Sequence, residues 1–180
     1  MHLEATTYGT SSGRKHSFLK ERGLHHSIDY RNQDFLSAIM DLTDGKGVEL
    51  VIDPIGGRNW KKNYKALRST GRLGVFGVST VTESRMGRSF KFAKLLTQMP
   101  WYNPLGLMSA NKSVFGVNLG HMWNEGDKLR GWMHGILAGI EEGWVRPHVD
   151  RTFPFEQAGD AHAYIEARKN IGKIVLVTGD

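Results

Sequence analysis

The stretch Val48-Glu49-Leu50-Val51-Ile52-Asp53-Pro54-Ile55-Gly56-Gly57, VELVIDPIGG, decides the fold. Its branched residues form the clearest strand in the chain, and Asp-Pro followed by two glycines stops it abruptly. Helical spacing takes over on both sides. Upstream, Phe35, Ile39 and Leu42 fall at i, i+4 and i+7 behind Asn32 as the expected N-cap; downstream, Trp60, Tyr64 and Leu67 share one face.

The alternation continues outward. Ala5-Thr6-Thr7-Tyr8 reads as a strand, the polar loop Gly9-Thr10-Ser11-Ser12-Gly13-Arg14-Lys15-His16 follows, and residues 17–22 form a short helix ended by Gly23. His26-Ser27-Ile28-Asp29-Tyr30 is a second short strand, Arg72-Leu73-Gly74-Val75-Phe76 a further one, and residues 113–119 another. Phe92, Leu95, Leu96 and Met99 make a helical stripe, as do Leu129, Met133, Ile136, Leu137 and Ile140. Beyond Gly143 the prolines at 147 and 154 suggest edge strands, before a helix over 157–167 and a last strand over 173–177. Strands alternating with helices predict an α/β protein with a parallel sheet.

Composition narrows the class. A chain of 180 residues, 39% hydrophobic and 23% charged, supports one globular domain or slightly more and is too well mixed for disorder. Without cysteine there is neither a disulfide framework nor a thiolate metal site, which suits the cytoplasm. No apolar run approaches the roughly 20 residues of a membrane span. The net charge of +6 favours anionic ligands, but the 24 basic residues are scattered, so nucleic acid is not indicated.

Ligands of open parallel sheets sit beyond the carboxyl ends of the strands. Four small or glycine-bearing loops occupy such places: residues 9–16, 53–57, 76–79 and 117–120. At the end of the second strand of a dinucleotide fold, a carboxylate holds the ribose 2′-hydroxyl of NAD, whereas hydroxyls with a cation suit the 2′-phosphate of NADP. Ser11, Ser12, Arg14 and Lys15 stand there without an Asp or Glu, which points to NADP(H); the plainer reading is a solvated basic turn. No strand followed by G-x-G-x-x-G occurs in the sequence, since Gly71, Gly74 and Gly77 have the wrong spacing and context.

In order along the chain, the 9–16 loop, Ile28-Asp29-Tyr30-Arg31, Asp53-Pro54-Ile55-Gly56-Gly57, Gly71-Arg72-Leu73, Phe76-Gly77 and Asn170-Ile171-Gly172-Lys173-Ile174-Val175-Leu176 resemble the zinc-independent quinone oxidoreductases of the medium-chain dehydrogenase/reductase superfamily, whose members are often labelled zinc-binding dehydrogenases. Asn111-Lys112-Ser113-Val114-Phe115-Gly116 and Arg146-Pro147-His148-Val149-Asp150 bring it nearest the vesicle-amine-transport-protein branch.

The resemblance implies an incomplete Rossmann-type parallel sheet entered at its second strand, over residues 1–126. It implies the C-terminal return segment of a GroES-like catalytic domain over residues 127–180, so that the chain looks like a C-terminal fragment. It further implies that Ser11, Ser12 and Lys15 bind the 2′-phosphate, that Tyr30 packs beside the adenosine end and that Ile55 meets the cofactor. Phe76, Gly77 and Ser79 with Val117, Asn118 and Leu119 would line the nicotinamide side, and Asn170 would be a C-terminal contact. The implied reaction is hydride transfer from NADPH to a small quinone or enone, weak or lost in this portion alone, with catalytic groups outside it. A homodimer through the strand edge near residues 113–119 is expected.

The eight histidines are expected in structural or solvated roles, not as metal ligands. The alternative function is a non-enzymatic interaction or membrane-surface module. Its basis is the segment 84–99, which places Arg85, Arg88, Lys91 and Lys94 among apolar residues, although packing of that stripe within the protein is favoured.

Overall fold

The computed structural model describes residues 4–78 and 96–179. Two compact units divide the chain, Thr7–Trp123 and Met1–Thr6 with Asn124–Asp180. The larger unit carries strands β1 (Tyr8–Ser11), β2 (His26–Asp29), β3 (Val48–Asp53), β4 (Leu67–Val75) and β5 (Ser113–Gly116). Helices α1 (His16–Glu21), α2 (Phe35–Leu42), α3 (Asn59–Ala66) and α4 (Pro104–Ala110) connect them. Every strand pair is parallel: β1 with β2, and β3 with β4 and then β5. Strand–helix–strand order with parallel pairing makes this unit Rossmann-type α/β, as the sequence implies.

Both groups of strands share one core. Ile28 of β2, Ile39 of α2 and Ala66 of α3 are buried together, and Tyr8 of β1 and Val48 of β3 pack against them. The faces of β3 differ sharply. Val51 pairs with Leu73, which has 0% exposure, whereas Leu50 and Ile52 on the opposite face are 53% and 61% exposed. Ile52, Gly74 and Phe115 form one row across β3, β4 and β5, and the Phe115 ring lies where a side chain at position 74 would stand.

Several elements differ from the sequence expectation. The first strand runs through Gly9, Thr10 and Ser11 and not through residues 5–7; Tyr8 pairs with His26, while Thr7 is taken up by His25, whose Nδ1 accepts the Thr7 N–H at 3.0 Å. Asp34, not Asn32, caps α2, accepting from Leu36 and Ser37 N–H, because Asn32 is occupied with Asp29. Leu67 begins β4 and does not end α3. Within β4, Thr70 stands at φ 70° and its N–H is donated to Asn111 O at 2.6 Å. The 117–120 region is a short 3-10 turn, Leu119–His121, beyond a strand that stops at Gly116.

The smaller unit contains α5 (Gly126–Glu141), β6 (Val149–Pro154), α6 (Ala158–Glu166) and β7 (Lys173–Val177), with β6 parallel to β7. Of residues 144–149, expected as a short edge strand, only Val149 is in one, as the first residue of β6. Ser79 and most of the basic segment 84–99 lie outside the described residues.

Candidate functional site

The carboxyl ends of β1, β3, β4 and β5 all belong to the larger unit, and each carries part of the expected site. At β1, Ser11 is the last strand residue and its Oγ donates to Ser12 O at 3.3 Å. Ser12 is buried and precedes a 3-10 turn, Gly13–Lys15, closed by Lys15 N–H donating to Ser12 O at 2.9 Å. The loop is therefore a folded turn with its two basic residues, Arg14 and Lys15, in consecutive positions.

An acidic neighbour comes from the adjacent strand. Asp29, the last residue of β2, has Oδ2 only 3.0 Å from the position a Cβ on Gly13 would take. That carboxylate is already engaged: Oδ1 accepts Arg31 N–H at 3.0 Å and Oδ2 accepts Asn32 Nδ2 at 2.8 Å. Tyr30 follows directly and is partly exposed.

The ends of β3 and β4 are locked to each other. Asp53 is 3% exposed, and its Oδ1 accepts Ile55 N–H at 2.8 Å and Gly56 N–H at 3.2 Å, folding Asp-Pro-Ile-Gly into a tight turn. Its carbonyl accepts Phe76 N–H at 3.1 Å. A Cβ on Gly77 would stand 2.5 Å from Pro54 O, so only glycine lets the two loops approach this closely. Gly56, at φ +75°, lies against Val78 and Trp60. Ile55 and Phe76 project from this pair of loops with considerable exposure. On the neighbouring strand, Val117 N–H donates to Val75 O at 3.0 Å, and Asn118 Oδ1 accepts Gly120 N–H at 3.1 Å, leaving Leu119 exposed.

The structure thus places Ser11, Ser12, Lys15, Tyr30, Ile55, Phe76, Gly77, Val117, Asn118 and Leu119 at or just beyond carboxyl strand ends of one unit. Asn170 belongs to the other unit, where its Nδ2 donates to Gly172 O at 2.8 Å ahead of β7. Sequence reasoning did not single out Asp53 or Asp29 as organisers of their loops. An Asp followed three residues later by a glycine or an Asn is the signal that could have found them.

At the opposite end of the sheet, Lys112 Nζ donates to Tyr64 O at 3.1 Å and sits 5.0 Å over the Tyr64 ring; burial lowers its pKa. Tyr102 stacks obliquely on Tyr64 and donates to Trp60 O at 3.4 Å; burial first, then the neighbouring Tyr64 and Asp53, pushes its pKa up to about 12. These contacts hold Tyr102 and Lys112 against α3.

A parallel sheet with glycine-bearing loops gathered at its carboxyl ends is the arrangement of a Rossmann-type fold. Comparison with known proteins makes the class specific: residues 22–176 match the family model described as zinc-binding dehydrogenase, and the chain belongs to that family, within the quinone-oxidoreductase-like medium-chain dehydrogenases/reductases.

The human synaptic vesicle membrane protein VAT-1 homolog is 33% identical over 97% of this chain and 44% of its own length. A 2-haloacrylate reductase from a Burkholderia species is 30% identical over 98% of the chain and 49% of its own. Among solved structures, a mycobacterial protein complexed with NADPH superposes with a TM-score of 0.75 at 24% identity, over 98% of this chain and 51% of that one. The chain spans about half the length of these relatives.

The family description names zinc, and the donor set does not fit it. The sequence holds no cysteine, and among the described residues no three His, Asp or Glu side chains converge on a common point. His25 is bonded to Thr7, and His26 stacks on Tyr8 with ring centroids 4.9 Å apart. No helix of the described residues is long and apolar enough to cross a membrane.

Proposed function

We propose that this chain is the NADPH-binding portion of a reductase acting on small quinones or enones. Ser11, Ser12 and Lys15 receive the 2′-phosphate, Tyr30 flanks the adenosine, and Ile55 meets the middle of the cofactor. Phe76, Gly77, Ser79, Val117, Asn118 and Leu119 line the nicotinamide side. Asn170 is assigned by the family resemblance alone, and the smaller unit is read as the return segment of a catalytic domain. The cofactor when bound supplies hydride; the residues of this chain orient it and no catalytic side chain is assigned among them.

One observation carries the reading. The turn after β1 carries Ser12, Arg14 and Lys15 beside Ser11 with no acidic residue of its own, and the Asp29 carboxylate near Gly13 accepts from Arg31 and Asn32. Hydroxyls with cations favour a phosphate over a bare ribose hydroxyl. The 2-haloacrylate reductase among the relatives suggests an activated carbon–carbon double bond as substrate. A cytoplasmic location and a homodimer through the outer edge of β5 complete the reading.

Steady-state oxidation of NADPH with 1,4-benzoquinone or a simple enone tests the enzymatic half of the proposal. The chain alone should give turnover close to background, and full family-like turnover by the 180 residues would contradict the assignment of the catalytic groups elsewhere.

A further inference from the structure

Helix α3 presents a basic face to solvent. Between Asp53 and Glu83 the sequence holds Arg58, Lys61, Lys62, Lys65, Arg68 and Arg72 and no acidic residue. Two of these cations are met from neighbouring elements: Lys62 pairs with Asp34, the cap of α2, and Arg68 Nη1 stands 3.2 Å from Glu49 Oε1 of β3. Arg58, Lys61 and Lys65 are exposed, and among the described residues no carboxylate pairs with them. Spacings of three and four residues set the three within about 60° of one another round the helix, with rises of about 4.5 and 6 Å between them. Trp60, Asn63 and Ala66 take the buried side.

The charges oppose the helix that carries them. The positive end of a helix dipole lies at its N-terminus, where an acidic residue is favoured. The first turn of α3 contains none; Arg58 stands at the N-cap position without a side-chain cap bond, and Lys61 and Lys62 follow. Arg58 with Lys62, and Lys61 with Lys65, are like charges four residues apart, and such pairs repel. An arrangement that works against local folding points to a use outside the fold.

An anion on this face relieves each of those conflicts, and the other side chains of α3 select its kind. No ring is free for a nucleic-acid base to stack on, since Trp60 is buried and Tyr64 is taken up by Tyr102 and Lys112. No apolar side chain of the helix is available for a bilayer, because Ala66 is buried as well. Alternate side chains of an extended peptide recur on one side about every 6.6 Å, close to the rise from Lys61 to Lys65.

We propose that the outer face of α3 docks an extended acidic segment of a partner protein, whose carboxylates pair with Arg58, Lys61 and Lys65. The proposal does not rest on NADPH binding, and its test contains no cofactor.

The probe is a fluorescein-labelled peptide of alternating aspartate and glutamate, titrated with the 180-residue protein and followed by anisotropy. Binding should weaken severalfold as salt rises from about 0.05 to about 0.2 M, because the contacts are exposed ion pairs. Lys61→Glu and Lys65→Glu should each lower affinity about threefold and together about tenfold. Lys61→Glu puts a carboxylate into the first turn, so the thermal midpoint of that variant should hold or rise, which separates lost docking from lost fold. Lys169→Glu makes the same change of charge in the smaller unit and should leave affinity nearly unchanged. Four outcomes overturn the proposal: the peptide fails to bind, the α3 variants bind it as well as wild type, Lys169→Glu weakens it equally, or labelled oligothymidine or phosphatidylserine vesicles are bound more tightly than the peptide, which gives the face to another class of partner.

Discussion

The Asp29 carboxylate closes over Gly13, with Oδ2 3.0 Å from the place a methyl group on Gly13 would occupy. Asp29 cannot withdraw freely, because Arg31 N–H and Asn32 Nδ2 hold its two oxygens. Gly13→Ala should therefore cost about 0.5–1.5 kcal/mol, the loss of one of those bonds, measured by urea unfolding. Combining it with Asp29→Ala should recover part of that cost, since the two positions are coupled.

Gly77 meets backbone, which gives way less readily. A Cβ there falls 2.5 Å from Pro54 O, so Gly77→Ala must push apart the loops after β3 and β4 and should cost about 1–3 kcal/mol. The same substitution should weaken NADPH binding more than Gly135→Ala, where nothing stands within 4 Å of the added methyl. Equal affinities in the two variants would detach the 76–79 loop from the cofactor.

Lys112 acts at the far end of the sheet. Its ammonium caps the last turn of α3 through Tyr64 O, where helix carbonyls lack partners and the dipole favours a cation. Lys112→Met keeps most of the aliphatic stem and should lower stability by about 0.5–1 kcal/mol while leaving cofactor affinity unchanged. Thermal melts and a cofactor titration separate the two effects.

Tyr102 predicts an alkaline signature. Its folded pKa is raised from 10.0 to about 12, so its contribution to stability is complete below pH 10 and is lost as the pH rises towards and past 12. Ultraviolet titration of tyrosinate should show a late component, and Tyr102→Phe should remove it. Persistence of the late component in that variant would assign it to another tyrosine.

The larger features were legible because they are local. Lys173–Val177 is a run of branched residues bounded by glycine and turn residues, and it is a strand over those residues. Val48–Asp53 likewise follows its own pattern. What escaped depends on pairing across sequence distance: β1 is shifted to Tyr8–Ser11 by its register with His26–Asp29, a fact no window around residue 8 contains. Asn32 and Asp34 are both good caps in isolation, and only the claim of Asp29 on Asn32 decides between them. The site was legible as a set of strand-end loops, while the locks between them, Asp29 over Gly13 and Gly77 on Pro54, require the folded chain.

The most direct measurement is a fluorescence titration of the 180-residue protein with NADPH and with NADH, repeated with Lys15→Ala. The account predicts saturable binding that prefers NADPH, with Lys15→Ala lowering affinity for NADPH by about tenfold and leaving that for NADH nearly unchanged, as expected for loss of a charge-assisted phosphate contact. Equal affinity for the two cofactors, or an unaltered NADPH affinity in the variant, would contradict the assignment of the turn after β1 to the 2′-phosphate.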